Sequence, residues 1–158
     1  MQIQDFQVTP FITNCFVLHN DAEAVVVDPG EATPELLEFL DGRTVRTIVN
    51  THGHCDHCGG NAALIQHTKA ELLCHEAELP LLETIQQQGA FFGVPFPSSP
   101  APHRFIDEGD TIPVGNEALK VLVAPGHSPG HIVLLGDGFV VAGDVLFSGS
   151  IGRTDLPG

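Results

Sequence analysis

Val45-Arg46-Thr47-Ile48-Val49-Asn50-Thr51-His52-Gly53-His54-Cys55-Asp56-His57 is a β-branched run that ends in a cluster of metal-ligand side chains. Val45 to Val49 predicts a buried strand. His52 and His54 lie two apart, just past the strand end. In an extended turn alternate side chains face one way, so both imidazoles can reach one cation. Asp56 and His57 follow as the chain turns toward a helix. Histidine and aspartate are common in polar loops, and chance could supply one or two of them. Four potential ligands at this spacing behind a strand point to a metal.

A second cluster lies further along. Ala124-Pro125-Gly126-His127-Ser128-Pro129-Gly130-His131 follows a strand predicted within Ala118–Val123. Glycine and proline on both sides fix a tight turn that would present His127 rigidly. A histidine in a turn is by itself weak evidence. His131 is expected to be a surface residue or an outer partner of the site. Asp144 ends the run Val140-Val141-Ala142-Gly143-Asp144. An acid straight after a buried strand needs a partner, and a cation is a natural one.

Outward from these clusters the chain reads as one α/β domain over 1–158, with strands first, a helical middle and then a β meander. Strands are predicted around Ile3–Val8, Cys15–Leu18 and Ala24–Val27. Thr33-Pro34-Glu35 caps a helix that runs through Leu36, Leu37 and Leu40 to Gly42. Gly59-Gly60-Asn61 leads into a second helix, and Ala70–Cys74 reads as a strand. Glu76–Gln88 predicts one helix with Leu79, Leu82 and Ile85 on one face. Gly89–His103, rich in proline and carrying Phe91, Phe92 and Phe96, predicts a long loop: either a flap over the site or a loop anchored by its phenylalanines. Short strands follow, with hairpin turns at Gly115-Asn116 and Gly136-Asp137-Gly138.

Composition limits the function. The chain has 158 residues, 42% of them apolar, enough for one domain with a real core. No apolar run approaches the roughly 20 residues of a membrane span. Met1-Gln2-Ile3-Gln4-Asp5 lacks the basic start of a signal peptide, so a cytoplasmic location is expected. The net charge is −14, from 20 acidic and 6 basic residues. Such a surface repels phosphate backbones and anionic lipid, which argues against nucleic-acid or membrane partners. Cys15, Cys55, Cys58 and Cys74 are expected to be reduced. Cys55 and Cys58 form a C-x-x-C without a second one to complete a zinc ribbon, and are expected to pack near the metal loop rather than serve as a redox pair.

The pattern His52-x-His54-x-Asp56-His57, then Gly126-His127, then Gly143-Asp144, with Asp28-Pro29-Gly30, resembles the metallo-β-lactamase superfamily over essentially the whole chain. Ala124–His131 and Gly152-Arg153-Thr154-Asp155-Leu156-Pro157-Gly158 look more narrowly like the glyoxalase II-like branch, although Gly-Arg-Thr-Asp also occurs in the related persulfide dioxygenases. The resemblance implies an αββα sandwich and a hydrolase with one or two zinc ions, iron or manganese being alternatives. His52, His54 and His127 would bind the first ion, Asp56 and His57 the second, and Asp144 would bridge them. Asp56 and Asp144 would also serve catalysis, and a hydroxide between the ions would be the nucleophile. The partner would be a small-molecule substrate, a thioester such as a hydroxyacyl-glutathione, or a related ester. The family continues past the position of Gly158 with further helix and strand and another histidine on the second ion. The chain as it stands is therefore expected to be an incomplete sandwich that holds one ion tightly.

Three other readings stay open. A mononuclear iron persulfide dioxygenase needs two histidines and one carboxylate, which His52, His127 and Asp144 could provide. A non-catalytic metal-binding relative or fragment would keep the fold. A β-lactamase is disfavoured by the lack of a secretion signal.

Overall fold

The computed structural model describes residues 1–156; Pro157 and Gly158, the end of the second glyoxalase II-like motif, lie outside the described residues. Two sheets face each other. The first has six strands in sequential order: β1 (Gln2–Val8), β2 (Thr13–His19), β3 (Glu23–Val27), β4 (Thr44–Val49), β5 (Glu71–Cys74) and β6 (Arg104–Phe105). β1, β2 and β3 pair antiparallel, whereas β3 through β6 run parallel. Parallel neighbours need long crossovers, and these carry the helices: α1 (Pro34–Leu40), α2 (Cys55–Cys58), α3 (Asn61–Thr68), α4 (Leu79–Leu82) and α5 (Ile85–Phe92). The second sheet is an antiparallel meander in the order β10-β9-β8-β7, formed by β7 (Thr111–Val114), β8 (Glu117–Val123), β9 (Ile132–Leu135) and β10 (Val140–Val141). A small hairpin, β11 (Leu146–Phe147) and β12 (Ser150–Ile151), follows.

The near-continuous apolar runs of β2 to β5 are explained by burial on both faces. Successive side chains point to opposite faces of a strand. Leu18, Val25, Val27, Val49 and Leu73 meet Ile112, Leu119, Val121, Ile132 and Leu134 of the second sheet. Val17, Val26, Ile48 and Leu72 point the other way, against Leu36 and Leu40 of α1 and Leu64 of α3. Among the described residues helices cover the outer face of the six-stranded sheet, while the four-stranded sheet leaves Lys120, Leu135 and Val140 exposed. α1 begins as expected, with Thr33 Oγ1 accepting the Leu36 N–H at 3.3 Å and Pro34 in the first turn.

Two expectations are corrected. The single helix over Glu76–Gln88 is instead a 3₁₀ turn (Glu76–Glu78), α4 and α5. Thr84 leaves helical geometry (φ −109°, ψ 14°), and its Oγ1 donates toward the carbonyls of Pro80 and Leu81 at 3.1 and 3.0 Å. Gln88 Nε2 also donates to Leu81 O, at 2.8 Å. Side chains thus satisfy carbonyls that a continuous helix would have satisfied itself. The loop expected from Gly89 starts later, because α5 continues to Phe92 and ends on Gly93 in the left-handed region (φ 72°). Phe96 is buried, in a cluster with Cys55, Cys58, Cys74, Leu82 and Ile85, and Ser99 Oγ accepts from Asn61 Nδ2 at 2.8 Å. These contacts tie the segment down in the manner of the phenylalanine-anchored loop.

Candidate metal centre

Every candidate ligand sits just beyond the C-terminal end of a strand. Asp28 follows β3, the His52–His57 run follows β4, His127 follows β8 and Asp144 follows β10. The carboxyl ends of parallel strands are the usual place for ligands in α/β sheets, and here the ends of the antiparallel meander converge on the same point.

His52, His54 and His127 bring one ligand atom each to within 4.8 Å of one another. His127 Nδ1 lies 2.9 Å from the Arg153 carbonyl, to which it donates. That leaves Nε2 as a lone pair, 3.0 Å from His54 Nδ1. His52 is fully buried; Nδ1 lies 3.0 Å from Thr51 Oγ1, and Nε2 has no hydrogen-bond partner among the described residues. A buried unpaired polar atom costs roughly 1–3 kcal/mol, and a cation beside it would remove that penalty. Burial, with His57 and the other imidazoles close by, drives the pKa of His52 well below its ordinary value. Burial likewise lowers His54 to about 4. Both are therefore neutral, as ligation requires. The residues present fit a divalent ion.

A second grouping adjoins the first around His57, whose ring centroid is 4.2 Å from that of His52. His57 Nε2 lies 3.3 Å from Asp144 Oδ1 and 3.5 Å from Asp56 Oδ2. Asp144 Oδ2 lies 3.5 Å from His127 Nε2. Asp144 thus places one oxygen toward each grouping. Thr13 Oγ1 holds Asp56 by donating to Oδ2 at 2.7 Å. Asp28, His52 and His57 also bring ligand atoms together. Asp28, however, already accepts from the Thr51 N–H at 2.7 Å and from Thr51 Oγ1 at 2.6 Å, and it faces His57 Nδ1 at 3.0 Å. That position behind the ring suits a carboxylate that orients a histidine. Burial opposes a charge on His57, but Asp28, Asp144 and Asp56 outweigh it and raise its pKa well above the ordinary value. Asp144 is lowered overall: burial raises it, and His57 with the other imidazoles more than reverses this. The three carboxylates around His57 call for a positive charge at this point.

All six candidate residues, His52, His54, Asp56, His57, His127 and Asp144, are therefore brought together. His131 is not on the surface: it is fully buried, stacks on His52 at 4.6 Å and accepts the Asp144 backbone N–H on Nε2 at 3.1 Å. Cys55 and Cys58 are free, buried thiols. Burial, aided by nearby acids, raises Cys55 to about 11 and Cys58 well above the ordinary thiol value. The Cys58 thiol donates to the His52 carbonyl at 3.2 Å. Sequence reading did not single out Thr13, Thr51 or Glu78. Glu78 is fully buried and accepts backbone N–H groups from both ligand loops. In sequence it is indistinguishable from a solvated first-turn acid.

Beside the centre opens a cavity of about 360 Å³, lined by Phe11, Ile12, Asp56, His57, Asp144 and Phe147 among others. Phe11 at the β1–β2 turn packs on Phe92 and Phe96 at centroid distances of 5.6 and 6.2 Å.

The family model described as "Metallo-beta-lactamase superfamily" matches residues 8–158. The chain is 35% identical to a hydroxyacylglutathione hydrolase, GloC, of Haemophilus influenzae, over 99% of this chain and 77% of that one. Among solved structures it resembles BLEG-1, a B3 metallo-β-lactamase, with a TM-score of 0.89 at 30% identity, covering 99% of this chain and 78% of that one. It also resembles TTHA1623, solved in a di-iron-bound form, with a TM-score of 0.89 at 33% identity, covering 98% and 78%.

Proposed function

Because the chain belongs to the metallo-β-lactamase superfamily, we propose that it is a metal-dependent hydrolase acting on thioesters of the hydroxyacyl-glutathione type. The observation that carries this reading is the buried His52 Nε2, unpartnered beside His54 and His127, with Asp144 linking that grouping to His57. His52, His54 and His127 would hold one ion, Asp56 and His57 would hold a second, and Asp144 would reach both. The likeness to GloC supports the thioester substrate. The likeness to TTHA1623 supports two ions and keeps iron beside zinc and manganese.

A bound divalent ion supplies Lewis acidity, polarising a carbonyl and acidifying water. The chain's own residues do the rest. Neutral imidazoles leave the ion its full charge, and Asp28 and the Arg153 carbonyl fix the rings of His57 and His127. With Asp56 Oδ2 engaged by Thr13, Asp56 takes up a proton at Oδ1. Water adds to the thioester carbonyl, the C–S bond breaks, and the departing thiolate recovers that proton. Phe11 and Ile12 form an apolar wall of the cavity. No helix among the described residues is long and apolar enough to cross a membrane, and four free thiols suit a reducing compartment such as the cytoplasm.

The test is hydrolysis of a hydroxyacyl-glutathione thioester by protein loaded in turn with zinc, iron and manganese, with a β-lactam as the comparison substrate. Thioester turnover that disappears with a chelator and returns with metal supports the reading. Oxygen uptake with a glutathione persulfide, and no thioester cleavage, would move the chain to the dioxygenases.

A further inference from the structure

Glu78 is the last residue of the 3₁₀ turn after β5, and it is 0% exposed. Its two oxygens go to different loops. Oε2 accepts the Gly53 N–H at 2.7 Å, and Oε1 accepts the Gly130 N–H at 2.6 Å. Gly53 sits between His52 and His54. Gly130 sits between His127 and His131. One carboxylate thus joins, through backbone alone, two loops that lie 25 positions before it and 52 positions after it.

The approach is close enough to explain both glycines. A Cβ on Gly53 would come within 2.6 Å of Leu81 Cβ and 3.0 Å of the Glu78 carbonyl. A Cβ on Gly130 would meet His75 Nδ1 at 2.4 Å and Ala77 Cβ at 3.0 Å. The segment from His75 to Leu82 therefore packs against both loops with no room for a side chain on either. Gln88 adds a second tie, its Nε2 donating to the Gly53 carbonyl at 3.2 Å and its Oε1 accepting from Cys55 N at 3.0 Å. Both Glu78 bonds lie at the short end of the usual N–H···O range.

We propose that Glu78 is a positioning residue for the metal centre: its carboxylate clamps the His52–His54 loop to the His127 loop and so sets the separation of the three imidazoles. The inference rests on the metal-binding reading above. Among the described residues Glu78 hydrogen-bonds to no ligand side chain; it acts through the peptide groups of Gly53 and Gly130. Replacing it with glutamine keeps the shape but turns one oxygen into an NH₂ group, which cannot accept from a peptide N–H. One loop is then released. E78D keeps the charge, but an arm shorter by one methylene cannot span both N–H groups.

The test uses Co²⁺ as the probe, with wild type, E78Q, E78D and Ile85→Val. Ile85 is buried in the packing beneath the same segment, so its variant loosens the core without touching the clamp. Co²⁺ affinity is measured by chelator competition, the ligand field by visible absorption, and amide exchange at Gly53 and Gly130 in the metal-free protein. E78Q is expected to weaken Co²⁺ by about 10–100-fold, to alter the Co²⁺ absorption, and to accelerate exchange at one of the two glycines. E78D should fall in the same direction. Ile85→Val should lower the metal-free melting temperature and leave Co²⁺ affinity and absorption as in wild type. Wild-type affinity and absorption in either folded Glu78 variant overturns the clamp. If wild type itself binds no Co²⁺, the metal-binding reading falls first, and the amide exchange shows separately whether Glu78 tethers the loops.

Discussion

At His52, one ring nitrogen lies beside Thr51 Oγ1 and the other is buried without a partner among the described residues. His52→Ala should lower metal content and hydrolysis together, because the vacated position opens the shell between His54 and His127. Metal analysis after dialysis checks this; wild-type occupancy would take His52 out of the site. Asp144→Asn should reduce turnover much more than stability. The amide keeps the shape, but it is a neutral and poorer ligand, and it removes the charge facing His57. Parallel kinetics and thermal melts separate the two effects, and normal thioester turnover would mean that Asp144 is no ligand. Cys58→Ser should leave metal binding largely intact, since the thiol is held protonated and its contact is to a backbone carbonyl. A large loss of metal would mean that a thiolate governs the site instead.

The elements divide between those that carry the site and those that carry the core. α1 packs Leu36 and Leu40 against the outer face of the six-stranded sheet and contributes none of the proposed ligands. Thr33→Ala removes its N-cap and should cost about 1 kcal/mol. That corresponds to a fall of about 2–4 °C in melting temperature for a chain of this size, with turnover unchanged. A loss of activity in the folded variant would mean that α1 couples to the site. β4 does both jobs, with Ile48 and Val49 in the two cores and the first ligand loop at its end. Its reading from sequence was secure because a β-branched run followed by alternating histidines satisfies the strand and the ligand patterns together. α4 and α5 were less legible. The break at Thr84 depends on hydrogen bonds by Thr84 and Gln88 side chains that compete with the helix, and hydrophobic spacing does not register such competition.

Across the whole molecule the centre joins the two sheets. Asp28 and the His52–His57 run come from the six-stranded sheet, and His127 and Asp144 come from the meander. An ion held between them would act as a cross-link that the unfolded chain lacks. Binding to the folded state alone stabilises it by about 2.7 kcal/mol when the free ion stands 100-fold above its Kd. Chelation should therefore lower the melting temperature as well as abolish turnover, and readdition of metal should restore both. Calorimetry with and without chelator measures this, and equal melting temperatures would show that the bound ion does not couple the sheets.

Local pattern was enough to place the strands that lead to the site and to single out the six candidate ligands, because both signals are local. A side-chain period of two, a Pro and Gly turn, or four ligand-type residues within six positions reads the same whatever lies opposite. It also carried the family resemblance, since the motifs stand in order along the chain. What surrounds them comes from the fold. His54 and His127 are 73 residues apart in sequence and 3.0 Å apart in space. Asp28 became the carboxylate behind His57, His131 the buried support of Asp144, Phe96 a core residue and Glu78 a tether between loops. Each of these is a polar or aromatic side chain whose local pattern suits solvent equally well. Burial and partner come from strands brought together by hydrophobic packing across the sandwich, and no window along the chain contains both halves of such a contact.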